Sequence, residues 1–147
     1  KGSSDPRREL LDSLKGAVGS SGDIIVYSAS FEKGILSKIG KYFGEEKWAD
    51  SVNARMVDLL IPFRNFHYYN PAQQGSASIK KVLPALVGKD YFGLGIQGGA
   101  EANTEFTRVT YLNGENKEKV YSDLLKYCEL DTLGMVWIVD KLKEKVE

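Results

Sequence analysis

The sequence predicts an α/β fold that is rich in helix. A short apolar, β-branched run, Asp23–Tyr27, has the composition of a strand that is buried on both faces. Several longer segments repeat apolar residues at the three- and four-residue spacing of amphipathic helices. One or two strands are too few to form a stable sheet against so many helices. We therefore expect a helix-rich part of a larger sheet domain, completed by strands upstream of Lys1 or by pairing with something else.

The first half of the chain alternates predicted helices with apolar runs. One helix is predicted over Arg7–Val18, and another is expected to begin near Ser30, a residue type that favours the N-cap. A third is predicted over Trp48–Arg55, and the apolar run at residues 56–60 fits either a strand or the end of a helix. The helix that begins near Ser30 should bury four apolar side chains: Phe31, Ile35, Leu36 and Ile39.

The second half of the chain is predicted to be mostly helical. Residues 62–75 are expected to form an aromatic loop, after which Ser78 opens a helix. Residues 88–99 are rich in glycine and predicted to be irregular. Helices are then predicted over Glu101–Leu112 and from Lys117 to about Lys145. The last helix should have a nearly continuous core face: Val120, Leu124, Tyr127, Cys128, Asp131, Met135, Ile138 and Leu142.

Length and composition indicate one globular domain fragment over residues 1–147, with residues 1–6 disordered. Apolar residues make up 42% of the chain and charged residues 27%, which is typical of globular proteins. The net charge is zero, so composition gives no support to a nucleic-acid partner held by a global positive field. The single cysteine, Cys128, excludes an internal disulfide and fits a reducing cytoplasm. No apolar run is long enough to span a membrane.

Tyr127 and Asp131 are the first candidates for chemistry. They lie four residues apart on the last predicted helix, which places both on one side, one turn from each other. A carboxylate on the apolar side of a helix needs a cap, a basic residue or a metal ion as partner. From spacing alone, a structural aspartate bound to a neighbouring loop is the favoured interpretation.

The second candidate segment is Ser28–Glu32, where the predicted strand runs into a helix. Functional sites gather at the carboxyl ends of strands in open α/β sheets. Glu32 falls in the first turn of the helix, where the helix dipole favours an acidic residue whether or not it has a function. Asp58 follows the next apolar run and fits a nearby acid or, more simply, a loop or cap aspartate.

Together these segments resemble the DEDD, or DnaQ-like, superfamily of 3′–5′ exonucleases. In that superfamily the second motif is an asparagine, two residues and then Phe-Asp, and Ser28–Glu32 is similar to it. The third motif is a tyrosine, three residues and an aspartate on a late helix, which Tyr127 and Asp131 match. Residues 75–83 are similar to the Ser-Leu-Lys helix that lies between those motifs.

The chain resembles more closely a bacterial family catalogued as a domain of unknown function, DUF2779. The runs Lys80–Leu86 and Tyr127–Leu133 are similar to runs shared within that family. The resemblance covers essentially residues 5–142, with the motifs in the same order.

The resemblance implies a ribonuclease-H-like fold with a mixed sheet in three layers, of which this chain is the C-terminal part. It further implies a two-metal site for Mg²⁺ or Mn²⁺ that hydrolyses the phosphodiester bonds of DNA or RNA. Asp131 and Glu32 would be metal ligands, and Tyr127 would orient the attacking water. Ser28, Phe31 and Lys80 would contact the substrate.

Three departures from the superfamily pattern keep a second hypothesis open. The first motif, Asp-x-Glu, occurs nowhere in these residues, so we expect the fragment alone to be inactive and the motif to lie upstream. Ser28 replaces the asparagine of the second motif, and Glu32 replaces its aspartate. The alternative is a non-catalytic ribonuclease-H-like module that binds nucleic acid or a protein partner. A sheet left without its first strands would also favour self-association through the exposed edge.

Overall fold

The computed structural model describes residues 5–146, which separate into two compact units. Residues 5–68 form the N-terminal unit and residues 69–146 form the C-terminal unit. The expected disorder of residues 1–6 falls largely on residues 1–4, which lie outside the described residues. Within 5–146, no helix is both long enough and apolar enough to cross a lipid bilayer.

The N-terminal unit contains two short parallel strands and four helices. In chain order they are α1 (Arg7–Val18), β1 (Ile24–Val26), α2 (Ala29–Phe43), α3 (Glu46–Ala54), β2 (Met56–Asp58) and α4 (Leu60–Arg64). The strands pair with Ile25 opposite Val57 and Val26 opposite Asp58. The apolar run at residues 56–60 is therefore a strand that leads directly into a helix. The expected α/β class is confirmed in this coarse form, and the predicted α1 has the bounds that its periodicity indicates.

Three expectations for this unit are wrong. The first strand is not buried on both faces, because Ile25 is 36% exposed beside its exposed partner Val57. In residues 5–68 the sheet has helices against one face only. Phe31 and Ile35 do not turn inward; they are 69% and 41% exposed, while the rest of the expected apolar face is buried. Helix α2 begins at Ala29, before the expected N-cap Ser30, because a carboxylate from β2 binds its first amides.

Helices α2 and α3 cross at a point that has room only for glycine. An ideal Cβ on Gly40 would lie 2.7 Å from Cβ of Ala49 and 3.3 Å from the carbonyl oxygen of Glu45. Next to this crossing, Leu36, Ala49 and Val52 form the buried centre of the unit. The absence of a side chain at Gly40 therefore sets how closely the two helices pack.

Arg55 fastens the end of α1 to the start of β2. Its guanidinium donates hydrogen bonds to four carbonyl oxygens at the end of α1 and in the segment that follows, at distances of 2.7 to 2.9 Å. These acceptors belong to Val18, Gly19, Ser21 and Gly22. Because the last carbonyls of a helix have no partner inside it, Arg55 satisfies groups that would otherwise need water.

The C-terminal unit contains a 3-10 turn and three helices: Pro71–Gln73, α5 (Ile79–Val87), α6 (Gly99–Tyr111) and α7 (Lys117–Lys143). Both α5 and α6 pack against α7. Pro84 lies inside α5, which continues to Val87. The three predicted helices and the irregular glycine-rich segment before α6 are confirmed.

The core face of α7 differs from the expectation at Cys128, which is exposed. Val120, Gly134 and Ile138 are the buried residues of the helix, and Leu124, Tyr127 and Asp131 are partly buried along the same stripe. Successive steps of three and four residues keep that stripe on one side, whereas Cys128 lies about 100° around the helix from Tyr127. Gly134 is part of the stripe because a Cβ there would lie 3.2 Å from the Leu83 side chain of α5.

We expect Gly40→Ala to lower the free energy of unfolding by about 1–3 kcal/mol, because the added methyl group overpacks the α2–α3 crossing. Gly34→Ala, in the same helix, is the matched control. No atom of the described residues outside the neighbouring backbone of the helix lies within 4 Å of the position that a Cβ on Gly34 would take. That control should be neutral or stabilising by about 0.5–1 kcal/mol, because alanine has the higher helix propensity. Urea unfolding monitored by circular dichroism measures both. Equal effects of the two substitutions would contradict the packing argument.

Candidate functional site

Asp58 accepts three hydrogen bonds from backbone amides at the junction of β2 with two helices. Its Oδ1 accepts hydrogen bonds from the amides of Ser28 and Leu60 at 2.8 and 2.9 Å, and its Oδ2 accepts from Ala29 at 2.9 Å. Partial burial acts to raise the pKa of Asp58, but these three amides and the charge of Arg64 together lower it below its ordinary value. Asp58 is therefore the cap aspartate that the sequence favoured.

Ser28 takes part in this arrangement through its backbone rather than its side chain. It is the N-cap residue of α2, has a left-handed backbone with φ of 73°, and makes no side-chain cap hydrogen bond within the described part of the chain. The carboxylate of Asp58 supplies the acceptor that an N-cap side chain usually provides. Phe31, in the next turn, is exposed.

Glu32 lies one turn into α2, in surroundings opposite to those of Asp58. Its Oε2 is buried and has no hydrogen-bond partner among residues 5–146. Burial, together with the nearby charge of Asp58, raises the pKa of Glu32 above its ordinary value, against the effect of its own backbone amide. A buried carboxylate without a partner is stabilised by a cation or a hydrogen-bond donor that reaches Oε2.

Tyr127 and Asp131 meet a third residue in the C-terminal unit. The hydroxyl of Tyr91 donates a hydrogen bond to Oδ1 of Asp131, and its ring lies 5.8 Å from the ring of Tyr127. Burial and the charge and hydrogen bond of Asp131 raise the pKa of Tyr127 to about 12. The phenol of Tyr127 therefore keeps its proton at neutral pH.

Lys80 places a positive charge in the same cluster. Its ammonium nitrogen lies 5.5 Å from the ring centroid of Tyr91 and 5.7 Å from that of Tyr127, within the range of cation–π attraction. The same nitrogen donates a hydrogen bond of 2.5 Å to the carbonyl oxygen of Gln97, just before α6. Lys80 is therefore a half-buried member of the cluster rather than part of a solvated face.

The predicted site residues fall into two sets that belong to different units. Ser28, Phe31 and Glu32 lie in the N-terminal unit, and Lys80, Tyr127 and Asp131 lie in the C-terminal unit. Within residues 5–146, no three histidine, cysteine or acidic side chains come together as a group that could hold a metal ion. The oxygen donors suit a hard divalent cation by type, but neither unit, over the residues described, supplies a full ligand set by itself.

Sequence reasoning missed Tyr91. This residue is only 5% exposed although it lies in the glycine-rich irregular segment before α6. An aromatic residue in such a segment carries no periodic signal, because irregular backbone has no regular face. The adjacent Lys89-Asp90 pair and the glycines around it gave no reason to single it out.

The two sets offer different chemistry. The Tyr127 hydroxyl can donate a hydrogen bond at neutral pH, the Asp131 carboxylate can accept one, and the Lys80 charge favours an anion nearby. The Glu32 carboxylate offers an unsatisfied acceptor, as far as residues 5–146 show, for a cation or donor. Donor, acceptor and positive charge in one cluster suit recognition of an anion.

Comparison with known proteins supports a family for the N-terminal half of the chain. The model of a family described as Domain of unknown function (DUF2779) matches residues 1–78. That range includes Ser28, Phe31 and Glu32 and ends before Lys80, Tyr127 and Asp131. Comparison with curated proteins and with solved structures gave no significant match.

Asp58→Asn should lower the free energy of unfolding by about 2 kcal/mol at neutral pH, because three charge-assisted amide bonds lose their ionised acceptor. The folded-state pKa is lowered, so this stability is present above the ordinary carboxyl pKa and is lost as pH falls through the folded value. The difference in the free energy of unfolding between wild type and variant should therefore shrink below pH 3.8, the ordinary pKa of an aspartate. Urea titrations across that range test this, with exposed Asp50→Asn as the matched control.

Glu32→Gln should not lower the free energy of unfolding at neutral pH, in contrast to Asp58→Asn. Because the folded-state pKa is raised, ionisation of Glu32 opposes folding at neutral pH, and the opposition disappears below its ordinary value of 4.5. The substitution should leave the free energy of unfolding unchanged or raise it at neutral pH, with no gain in acid. Glu46→Gln, an exposed first-turn glutamate in α3, is the matched control. A loss of stability at neutral pH would show that Glu32 has a partner after all.

Proposed function

We propose that this chain, which belongs to the DUF2779 family, is part of a metal-dependent nuclease domain. The domain hydrolyses phosphodiester bonds of DNA or RNA from the 3′ end and has a ribonuclease-H-like fold, of which these residues form the helix-rich C-terminal part. The remaining carboxylates of the metal site come from sequence upstream of these residues.

The observation that carries the proposal is the cluster around Tyr127 and Asp131. The two side chains lie together on α7, partly buried, with the ammonium of Lys80 beside the Tyr127 ring. A solvated helix face would not hold an aspartate, a high-pKa tyrosine and a lysine in one partly buried group. Clusters of this kind are enriched at functional sites.

Each residue has a role in the proposed hydrolysis. Asp131 and Glu32 would each supply a carboxylate ligand to a divalent cation, Mg²⁺ or Mn²⁺, which would supply charge stabilisation for the oxygens at phosphorus. Tyr127 keeps its proton at neutral pH, and its hydroxyl oxygen orients the attacking water by accepting a hydrogen bond from it. Lys80 attracts the substrate phosphate. On the N-terminal side, Ser28 and the exposed ring of Phe31 contact the substrate.

A second candidate function is a non-catalytic module that binds nucleic acid or a protein partner. It is favoured by one observation, the bond between Tyr91 and Asp131. A carboxylate that already accepts a tyrosine hydroxyl has a structural partner without any metal. In both candidates we place the protein in the cytoplasm, in keeping with its single exposed cysteine. The two-stranded sheet also offers open edges for self-association.

The nuclease proposal predicts that Asp131→Asn abolishes degradation of nucleic acid. The full-length protein is incubated with 5′-labelled single-stranded DNA or RNA and Mn²⁺, and shortening from the 3′ end is followed on a gel. The substituted amide would keep an oxygen for Tyr91 but lose the charge that a metal requires. We expect a loss of at least about 100-fold, because even indirect partners of a metal ligand are worth about 10–100-fold.

Asp140→Asn is the matched control for this experiment, since Asp140 is exposed on the same helix. Degradation that survives Asp131→Asn would show that the assigned site is wrong. If the wild type degrades neither nucleic acid, the nuclease proposal fails. Retention of labelled strands without degradation would then support the binding module.

A further inference from the structure

The C-terminal unit has an open groove of about 410 Å³ between α7 and the glycine-rich segment that precedes α6. The segment contributes Lys89, Asp90 and Leu94, and α7 contributes Lys126, Glu129, Leu130, Leu133 and Trp137. None of these eight residues has a role in the proposed hydrolysis. A partner can therefore occupy the groove without displacing any of the hydrolytic residues.

The floor of the groove is apolar and contains an indole ring. Leu130, Leu133 and Trp137 follow one another at steps of three and four residues, so they share one side of α7. All three are at least partly exposed, and Leu133 is 39% exposed. A flat aromatic ring on such a floor is a surface on which a nucleobase stacks, because every base has a π-face.

Two ammonium groups stand at opposite ends of the groove. The ammonium of Lys89 lies 5.0 Å from the ring centroid of Trp137. Lys126 lies three turns earlier on α7, which is about 16 Å along the helix axis. Within residues 5–146 neither ammonium forms an ion pair, although Lys119 and Lys141 of the same helix each do. Two unpaired cations this far apart fit an extended polyanion better than a single small anion.

The acids of the groove restrict which polyanion can bind. Oδ1 of Asp90 accepts a hydrogen bond of 2.9 Å from the amide of Phe92, which holds that carboxylate in its own turn. Glu129 is exposed and lies one turn from Lys126, so it repels a phosphate there. With two lysines and two acids the groove has no net charge, and phosphate contacts alone would bind weakly. Stacking on Trp137 must supply the rest, which favours a single strand, since only unpaired bases expose their faces.

The groove lies beside the cluster around Tyr127 and Asp131. Lys126 directly precedes Tyr127, and Leu130 directly precedes Asp131, so the groove and the cluster occupy neighbouring stripes of α7. Tyr91, which binds Asp131, belongs to the segment that forms the other wall of the groove. A strand in the groove would therefore lie one helix stripe away from the candidate site.

We propose that this groove binds single-stranded nucleic acid, with a base stacked on Trp137 and phosphates near Lys89 and Lys126. The choice of ligand rests on the proposed function, in which nucleic acid is the substrate, but binding in the groove requires no metal. Binding measured in EDTA and degradation measured in Mn²⁺ can therefore fail independently of each other.

Trp137 lines the groove and serves as the reporter. The full chain is titrated in EDTA with a fluorescein-labelled oligothymidylate of about ten nucleotides, a length in the range that single-strand-binding domains cover. Fluorescence anisotropy gives the affinity, and the indole N–H signal of Trp137, assigned with Trp137→Phe, is followed by NMR. We expect a saturable shift of this signal. The same oligonucleotide in duplex form should bind at least about 10-fold more weakly, because its bases are already stacked and paired.

Trp137→Leu should weaken binding of the single strand about 10- to 100-fold, because the stacked base loses its aromatic partner. Tyr111→Leu is the matched control, since Tyr111 is an aromatic residue of the same unit that is 58% exposed and lies outside the groove. Circular dichroism reports whether each variant is folded. If Trp137→Leu does not fold, the Trp137 signal of the wild type and the charge variants decide the question.

Two charge variants on α7 should act in opposite directions. Lys126→Gln should weaken binding about 2- to 5-fold, and Glu129→Gln should strengthen it by a similar factor, because each removes an exposed charge that attracts or repels phosphate. Lys143→Gln, exposed on the same helix and outside the groove, is the matched control and should change the affinity less than either.

Absence of a saturable Trp137 shift in the wild type would overturn the proposal in favour of a protein partner, which suits an apolar floor with charges of both signs at its rim. Equal affinity for single strand and duplex, or for wild type and folded Trp137→Leu, would also overturn it. Binding in EDTA without degradation in Mn²⁺ would support the groove and contradict the nuclease function, and degradation without such binding would do the reverse.

Discussion

The N-terminal unit depends on one carboxylate, that of Asp58. It stands at the end of β2 and binds the amides that begin α2 and α4, so a single side chain fixes the junction of a strand with two helices. Ser28 could adopt its left-handed backbone without a side-chain cap because that acceptor comes from β2. The same ion does not stabilise Glu32, whose pKa rises through burial and through the neighbouring charge of Asp58. Asp58 therefore caps α2 and adds to the effect of burial on the pKa of Glu32.

The two candidate acids, Asp131 and Glu32, have opposite surroundings: Asp131 has a hydrogen-bond donor, and Oε2 of Glu32 has none among the described residues. Asp131 accepts a hydrogen bond from the hydroxyl of Tyr91. The ammonium of Lys80 lies 5.7 Å from the ring centroid of Tyr127, one turn before Asp131 on α7. Glu32 has an apolar wall and a like charge. An acid that is already satisfied is held in one orientation, whereas an unsatisfied acid gains most from a cation or donor.

Glycines allow close helix packing in both units. In the C-terminal unit, Gly134 lets the Leu83 side chain lie against the backbone of α7. In the N-terminal unit, Gly40 brings α2 and α3 close at one point, yet a cavity remains beside Val52. Voids in protein cores are usually small because lost contacts cost stability. The N-terminal unit is therefore loosely packed beside Val52, where the cavity has a volume of about 260 Å³.

Periodicity predicted most of the helices, because repeats of three and four residues reflect only local backbone geometry, but not the end of α4 or the 3-10 turn, which lie in the loop predicted for residues 62–75. It also placed Tyr127 and Asp131 on one side of α7, and composition favoured Asp58 as a cap. The match of residues 1–78 to DUF2779 supports the resemblance over that part of the chain, while the exonuclease relationship stays a prediction. Only the tertiary structure decided that α2 begins at Ala29, that Phe31 is exposed, and that Tyr91 binds Asp131. These features depend on residues 29 to 40 positions apart in the chain, such as Ser28 with Asp58 and Tyr91 with Asp131, and no local pattern records which of them will meet.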